Sequence, residues 1–454
     1  MKAHATGIVH FGPGAFHRAH QADFIDRLLN TDPRWGIAAV SLRSGGTVEA
    51  LRRQEGRYTL AILDEARSYR TLHAHREALG PGDESAVRRR LADPAVRIVS
   101  ATVTEKGYCL SGDGTLDFDH PDILHDLAAP ERPRSLIGWL ALGLSDRRAA
   151  GATAFAALCC DNMAGNGKKL GIAVQAFAAR TDPGLARWIA GEARFPDTMV
   201  DSITPATTDA LRREVREATG FDDAIPVARE AFAAWVIEDV LPPDGPDLAG
   251  AGAIMTGDVA AHERVKLRIL NGAHSTLAYL GLLRGHETVA EAMGDAWLAA
   301  VVGEMIREEI APMLRGRTDI DLEEYAAQTL RRFRNPAIQH RLAQIAWDGS
   351  QKLPYRLLDT IAEARGAGRS FERLALAVAG WMRFVERLAR NGVEIVDPRG
   401  AQFAEIGRTA GSDEALLGAL LDLRQIFSAD LANDARFRDA LRGGLVALQE
   451  PADA

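Results

Sequence analysis

The chain is poor in cysteine. Its 454 residues include three cysteines, Cys109, Cys159 and Cys160, and an odd, small number argues against a disulfide framework. No Cys-x-x-Cys pair is present, which disfavours a structural zinc site, so no metal is expected. With so few thiols, the expected compartment is a reducing cytoplasm.

Other signals of particular protein classes are also absent. The sequence has no run of about 18 apolar residues, so no membrane span is expected, and the apolar run in MKAHATGIVHFGPG is too short for a signal peptide. The formal net charge is -8, with both signs spread along the chain, so nucleic acid is not an expected partner. A length of 454 residues with this ordinary composition predicts about two globular domains.

Hydrophobic patterning divides the chain into two parts. Apolar runs at 7–12, at 37–42 and from residue 96 alternate with helical stretches, which predicts a mostly parallel sheet covered by helices. The segments RYTLAILDE and SYRTLHAH alternate like an antiparallel pair. After the Pro/Gly-rich segment at 241–252, almost every stretch has helical periodicity. We therefore predict an α/β domain over residues 1–255 and an all-α domain over residues 256–454.

A glycine-rich turn, Gly12-Pro13-Gly14-Ala15-Phe16-His17, follows the first predicted strand and opens a predicted helix. A dinucleotide fold needs glycines there, because the backbone must turn tightly and approach the pyrophosphate at a helix N-terminus. The third glycine of the usual fingerprint is absent, and His17 stands in its place. The turn indicates a Rossmann-like dinucleotide site, and an ordinary strand–turn–helix link is the alternative.

The end of the second predicted strand leaves the choice of cofactor open. The acid that would bind the ribose 2′-hydroxyl of NAD is missing, and the chain reads Leu42-Arg43-Ser44-Gly45-Gly46. Arg43 could pair with the 2′-phosphate of NADP, or it could be a solvated loop residue.

Polar side chains interrupt an otherwise apolar helical stretch, RVKLRILNGAHSTLAYLG. With about 100° per residue in an α-helix, Asn271 lies about 140° and His274 about 80° round from Lys266, so one broad face carries all three. Gly272 costs helix stability, which predicts the close approach of a ligand or of another backbone. The alternatives are a lysine that reaches solvent, an asparagine cap and a satisfied core histidine.

These three side chains suit the oxidation of a secondary alcohol without a metal. A lysine in an apolar pocket gives up its proton more readily, because desolvation disfavours the ammonium, so Lys266 could be the base. Asn271 could donate an N–H group to the developing alkoxide, and His274 could orient a hydroxyl.

The pattern Lys-x4-Asn-x2-His in KLRILNGAH resembles the signature of the mannitol dehydrogenase family, the polyol-specific long-chain dehydrogenases. FGPGAFHRAHQA resembles the cofactor loop of that family, with His17 included. The resemblance covers nearly the whole chain, because further blocks follow in the family order: TVTEKGY, CDNMAGNG, FPDTMVDSITP, WVIEDV and DGSQKLPYR. It implies a metal-independent dehydrogenase with a Rossmann-like first domain, a helical second domain and NAD as cofactor, with NADP not excluded.

The resemblance also implies roles for individual residues. Lys266 matches the catalytic acid/base, Asn271 and Asn166 match the amide pair that holds the oxyanion, and His274 matches the substrate-orienting histidine. The expected substrate-binding residues are Lys352, Arg356, Arg383 and Asn162. The expected cofactor-binding residues are Gly12, Gly14, Ala15, Phe16, His17, Arg43 and Lys106.

One branch of the family is the most similar. RNPAIQHRLAQIAWDGSQKLPYR and WMRFVERL resemble the branch that includes fructuronate reductase (D-mannonate oxidoreductase), whose substrate is a sugar acid, so Arg356 or Arg383 should bind a carboxylate. The predicted function is an NAD-dependent interconversion of a ketose-type carbonyl and a secondary alcohol on an open-chain sugar derivative, with D-fructuronate and D-mannonate favoured. A mannitol or other polyol dehydrogenase is the alternative, and a non-catalytic dinucleotide sensor is a remote one. The expected partner is the small-molecule substrate, with the protein acting as a monomer or small homo-oligomer.

Overall fold

The computed structural model describes residues 5–449. The chain divides between Ala260 and Ala261 into two compact units, called unit 1 (residues 1–260) and unit 2 (residues 261–454). The strands are β1 (Thr6–Phe11), β2 (Gly36–Val40), β3 (Tyr58–Leu63), β4 (Ser68–Leu72), β5 (His75–Leu79), β6 (Ile98–Ala101), β7 (Ala156–Cys159), β8 (Thr198–Asp201), β9 (Val227–Glu230), β10 (Ala234–Glu238) and β11 (Ile254–Thr256).

The helices of unit 1 are α1 (Ala15–Ala19), α2 (Gln21–Leu28), α3 (Gly46–Arg53), α4 (Glu84–Ala92), α5 (Pro121–Ala128), α6 (Leu136–Ala149), α7 (Asn166–Thr181), α8 (Pro183–Glu192) and α9 (Asp209–Thr219), with short 3-10 turns at Pro33–Trp35 and Glu105–Tyr108. The helix α10 (Val259–Val265) crosses the unit boundary. Unit 2 then contains α11 (Gly272–Leu283), α12 (Val289–Gly294), α13 (Ala296–Glu304), α14 (Ala311–Leu314), α15 (Leu322–Phe333), α16 (Leu342–Ala346), α17 (Gly349–Leu353), α18 (Asp359–Gly366), α19 (Glu372–Arg390), α20 (Gly400–Thr409), α21 (Asp413–Leu421), α22 (Ala429–Ala432) and α23 (Ala435–Ala447). Three π-helical segments, Lys266–Asn271, Met305–Ile310 and Pro354–Leu358, lie between helices of unit 2.

Unit 1 is built on a five-stranded sheet in the order β5-β2-β1-β6-β7, and every neighbouring pair is parallel. All six residues of β1 are buried, as expected for a central strand whose two faces are both covered by helices. The chain goes from β1 to β2 on one side and later returns to β6 on the other side, so the strand order reverses between β1 and β6. Open parallel sheets bind ligands at the carboxyl ends of the strands beside such a reversal. The predicted fold class is confirmed.

Two smaller sheets complete unit 1. The predicted antiparallel pair is confirmed, since β3 pairs with β4 from Tyr58↔Leu72 to Ile62↔Ser68, and β9 adds in parallel to β3. The second small sheet has the order β11-β10-β8. The strands β8 to β11, of three to five residues each, were not predicted from the sequence.

The core of unit 2 forms around α11 and α19. In α11, every residue from Gly272 to Gly281 is buried, which is the environment of a helix that is apolar on all sides. Trp381 on α19 contacts Phe403 edge to face, with ring centroids 5.3 Å apart. Among the helices described in residues 5–449, none is long and apolar enough to cross a lipid bilayer.

The regular α-helix expected over Lys266–Asn271 is wrong. This segment is π-helical and lies between α10 and α11. A π-helix closes each turn with i→i+5 hydrogen bonds, and such segments are frequent at functional sites. The angles derived from α-helical geometry therefore do not hold, and the i→i+5 spacing places Asn271 one turn above Lys266.

Candidate active site

The glycine turn after β1 is built for close backbone approach. Gly12 has a φ of +85°, and a Cβ atom there would lie 2.2 Å from the carbonyl oxygen of Thr102, so only glycine fits. At Gly14 an added Cβ would make an ordinary van der Waals contact, 3.9 Å from the Gly12 carbonyl oxygen, so the start of α1 is not crowded. Gly14, the N-cap residue of α1, supplies no side-chain hydrogen bond to the first N–H groups of the helix, and N–H groups at such a position can receive an anion.

Side chains behind the turn fix its path. The hydroxyl of Thr102 donates to the Gly12 carbonyl at 2.7 Å, and the Arg18 guanidinium donates to the Pro13 carbonyl at 2.6 Å. Arg18 and Thr102 therefore hold the turn in one conformation. The residues present fit a dinucleotide pyrophosphate.

His17 takes the place of the third glycine by stacking on His10. Their ring centroids are 3.4 Å apart and nearly parallel, and His17 Nε2 lies 3.1 Å from His75 Nε2. The usual glycine lets a helix pack closely on a strand, and here a flat ring on β1 allows the same close packing. Burial lowers the pKa of His10 to about 3 and holds the pKa of His17 well below its usual value, so two neutral rings stack without charge repulsion.

Arg43, beyond β2, is held by an acid. Its guanidinium lies 2.5 Å from the Asp122 carboxylate on α5. Within residues 5–449, Cys109, His120 and Asp122 are the one group whose donor atoms have metal-ligand spacing. Two of these residues already have hydrogen-bond partners. His120 Nδ1 accepts the Asp122 N–H at 3.2 Å, and the Asp122 carboxylate binds Arg43. His120 and Asp122 are therefore engaged in hydrogen bonds that anchor this loop.

Asn166 lies at the start of α7 with its side chain fully buried. Its amide N–H groups donate to the carbonyl oxygens of Cys159, Asp161 and Thr198 at 2.9–3.2 Å, and its oxygen accepts the Thr198 N–H at 2.9 Å. Asn166 thus ties β7 to β8 within unit 1, and donation to a substrate oxyanion would have to replace one of these bonds. Asn162, four residues earlier, and Lys106 are both exposed.

The three polar residues of the KLRILNGAH stretch lie at the junction of the π-helical segment and α11. Lys266 and Asn271 are half-buried, and His274 is buried. The predicted close approach at Gly272 is confirmed, because an added Cβ would lie 3.0 Å from the carbonyl oxygen of Arg356. Gly272 therefore lets the π-helical segment Pro354–Leu358 pack against this junction.

His274 is surrounded by aromatic rings and cations. Its ring lies 4.3 Å from Phe333 and 5.1 Å from His340, between centroids. Burial holds its pKa far below the usual range, and His340 and the charges of Arg356, Arg332 and Lys266 act in the same direction. The imidazole is therefore neutral, and its buried Nε2 has no hydrogen-bond partner among residues 5–449.

Arg332 and His340 were not predicted from the sequence. Both stand beside His274, although the positions that precede DGSQKLPYR in the chain carry no periodic or spacing signal for them. His340 lies in the segment RNPAIQHRLAQIAWDGSQKLPYR, which was singled out only by its resemblance to the sugar-acid branch, and Arg332 lies just before that segment. A resemblance of segments identifies a region, whereas the packing of α15 identifies which of its arginines faces His274.

Arg356 and Lys352 extend the cationic region. Arg356 donates to the Ser275 hydroxyl at 3.1 Å, its buried Nε has no partner, and no carboxylate within residues 5–449 lies at ion-pair distance from it. Lys352 donates to the carbonyl oxygens of Ile345 and Trp347. Burial, and then the charge of Arg356, lower the pKa of Lys352.

Arg383 has a different environment from Arg356. Its guanidinium lies 2.5 Å from the Glu386 carboxylate and 2.9 Å from that of Asp413, and it also donates to the Leu445 carbonyl. These bonds join α19 to α21 and α23, and they already supply the guanidinium with anions. Of the two predicted carboxylate-binding arginines, Arg356 is the one without an acidic partner.

The parallel sheet, the glycine turn at its point of reversal and the cationic helical site define a dinucleotide-binding oxidoreductase. Residues 6–249 match the mannitol dehydrogenase Rossmann domain, and residues 258–448 match the mannitol dehydrogenase C-terminal domain. The chain belongs to the mannitol dehydrogenase family.

Individual relatives match over nearly their full length. The chain is 42% identical to a D-mannonate oxidoreductase of Escherichia coli (strain K12), over 96% of this chain and 91% of that protein. It is 36% identical to a mannitol 2-dehydrogenase of Aspergillus fumigatus (strain Af293), over 96% and 89%. The structure of a Pseudomonas fluorescens mannitol 2-dehydrogenase in ternary complex with NAD and D-mannitol is also similar, with a TM-score of 0.81, 36% identity and coverage of 98% and 92%.

Proposed function

We propose that the protein interconverts D-fructuronate and D-mannonate with NAD. The Gly12–His17 turn would hold the nicotinamide cofactor, which would supply hydride transfer to or from the substrate carbon. Lys266 takes the proton of the alcohol during oxidation and returns it to the carbonyl oxygen during reduction. Asn271, one turn above it, donates an N–H group to the developing oxyanion. His274, kept neutral, accepts a hydrogen bond from a substrate hydroxyl at its unpartnered nitrogen and so orients the substrate.

The observation that carries this proposal is the uncompensated Arg356. A buried or half-buried guanidinium normally has an anionic or hydrogen-bonding partner for each donor, and among residues 5–449 Arg356 has only the Ser275 hydroxyl as a partner. Its charge is close enough to His274 to lower the pKa of that imidazole. A substrate carboxylate would supply the missing anion, and a neutral polyol would not.

The experiment compares reduction of D-fructuronate and of D-fructose by NADH in three proteins: the unmodified chain, Arg356→Met and Arg383→Met. We expect the unmodified chain to prefer D-fructuronate. Arg356→Met should lower kcat/KM for D-fructuronate by about 10²-fold or more, because a charge-assisted pair is lost, and should affect the residual fructose activity much less.

Arg383→Met is the matched control, because it removes the same charge from a guanidinium held by Glu386 and Asp413. It should lower stability and leave the substrate preference unchanged. A preference for D-fructose in the unmodified chain would favour a polyol dehydrogenase. A larger loss of fructuronate activity in Arg383→Met than in Arg356→Met would move the carboxylate to Arg383.

The ion pair of Arg43 and Asp122 should favour NAD over NADP. Arg43 lies where dinucleotide folds bind the adenosine ribose. The Asp122 carboxylate neutralises the charge of Arg43 and would repel a 2′-phosphate. Asp122→Asn should raise kcat/KM for NADPH relative to NADH by about three- to tenfold, which is the scale of an exposed ion pair. Asp119→Asn removes an equal charge from an exposed neighbour and should leave the ratio unchanged. An equal ratio in all three proteins would show that Asp122 does not influence cofactor choice.

A further inference from the structure

Thr104 adopts a backbone conformation that belongs to glycine. Its φ is +66° and its ψ is 161°, a region that is essentially restricted to glycine and is worse for a β-branched residue. The side chain of Thr104 is exposed, so packing of that side chain does not offset the energetic cost of this backbone conformation. Something else in the fold must hold this residue in place.

The Asp161 carboxylate holds it. Oδ2 of Asp161 accepts the Val103 N–H at 2.9 Å and the Tyr108 hydroxyl at 2.7 Å, and the Thr104 N–H also points to this carboxylate. The Thr104 carbonyl accepts the Gly107 N–H at 2.9 Å. Val103 before Thr104 and Tyr108 after it are thereby bound to the same carboxylate. These bonds fix the sharp turn of the chain after β6.

Asp161 is itself well placed to act as an anchor. It follows β7, and its own carbonyl oxygen accepts from the buried amide of Asn166 at 3.2 Å. Burial raises the pKa of Asp161, and hydrogen bonds from the Tyr108 hydroxyl and the Val103 and Thr104 N–H groups oppose that rise.

The strained loop lies at the reversal of strand order. It follows the carboxyl end of β6, and β6 is the direct neighbour of β1. The Thr102 carbonyl is the atom that leaves no room for a side chain at Gly12, so the loop and the glycine turn pack against each other. The loop after β6 therefore forms the other wall of the crevice in which open parallel sheets bind a dinucleotide.

We infer that Asp161 is a positioning residue for the dinucleotide, which it serves by holding the loop at Thr104 in its strained, binding-competent conformation. The inference rests on the proposed dinucleotide function of unit 1. Without the carboxylate, Thr104 relaxes towards negative φ and the competent conformation becomes a minority. The apparent Kd for the dinucleotide then rises in inverse proportion to the fraction of molecules in the competent conformation.

The test measures the Kd for NADH by fluorescence titration, and the melting temperature, in Asp161→Asn, Thr104→Gly and the double variant. Asp161→Asn should raise the Kd by about ten- to a hundredfold, which matches the cost of one glycine-only conformation. Thr104→Gly should keep the Kd within about twofold and raise the melting temperature, because glycine adopts this conformation without strain. The double variant should recover most of the lost affinity.

Recovery by Thr104→Gly separates positioning from a purely structural role of Asp161. The matched control is Asp126→Asn, since Asp126 is another buried carboxylate that accepts backbone N–H groups, those of Arg134 and Ser135. That variant should lose stability and keep its affinity for NADH. Normal affinity in Asp161→Asn, or no recovery in the double variant, would overturn the inference. Failure of the unmodified chain to bind NADH or NADPH would instead refute the proposed function.

Discussion

Replacing Lys266 with methionine should lower kcat in both directions by about 10²- to 10⁴-fold, the usual contribution of a general acid or base. Methionine keeps much of the length and apolar surface of the lysine stem while removing the group that carries the proton. The Kd for NADH should stay unchanged, because the glycine turn that fits the dinucleotide lies in unit 1. Single-turnover kinetics together with NADH titration measure the two quantities separately.

The pH profile gives this prediction a second readout. A lysine acts as a base only after losing its proton, so oxidation should rise with pH and reduction should fall, and Lys266→Met should lose this dependence. Lys169→Met on α7 is the control for removal of a lysine charge, and it should behave like the unmodified chain. Normal turnover by Lys266→Met would remove Lys266 from the mechanism, and retained NADH binding without turnover in the unmodified chain would favour a dinucleotide sensor.

The sequence predicted the parts of the fold that local patterns determine. Continuous apolar runs placed β1, β2 and β6, and the alternation on either side of residues 64–67 placed the antiparallel pair of β3 and β4. Gly12 was recognisable because its turn type and its place after a strand are both local properties. Gly272 was recognisable for a similar reason, since a glycine inside a buried helix is costly unless something approaches it closely.

Features that depend on packing between distant segments could not be predicted. The π-helical segment at Lys266–Asn271 leaves no trace in a pattern that assumes 3.6 residues per turn. The sequence also gives no sign that Arg383 meets Glu386 and Asp413 whereas Arg356 meets only a hydroxyl, because ion pairing depends on how α19, α21 and α23 pack. The strain at Thr104 is hidden in the same way, as its cause lies 57 residues further along the chain, at Asp161.

The buried histidines around His17 should make the protein sensitive to acid. The pKa of His10 and of His75 is about 3 in the folded protein, against about 6.5 for an unfolded chain. Between these values the unfolded chain binds more protons, so the free energy of unfolding must fall as the pH falls from about 6.5 towards 3. At a pH well inside this window, each such imidazole contributes a slope of about 1.4 kcal/mol per pH unit.

His75→Gln removes one titrating group while keeping a side chain that can hydrogen-bond to His17. Urea unfolding at several pH values between 4.5 and 7.5 should therefore give a slope smaller by about 1.4 kcal/mol per pH unit below about pH 5.5. His73→Gln is the control, because it removes an exposed histidine two residues away in the chain. An unchanged slope in His75→Gln would mean that the folded protein already binds a proton at this cluster. In that case neutral stacking would not explain how His17 replaces the third glycine, and a charged pair of rings would need an anion beside it.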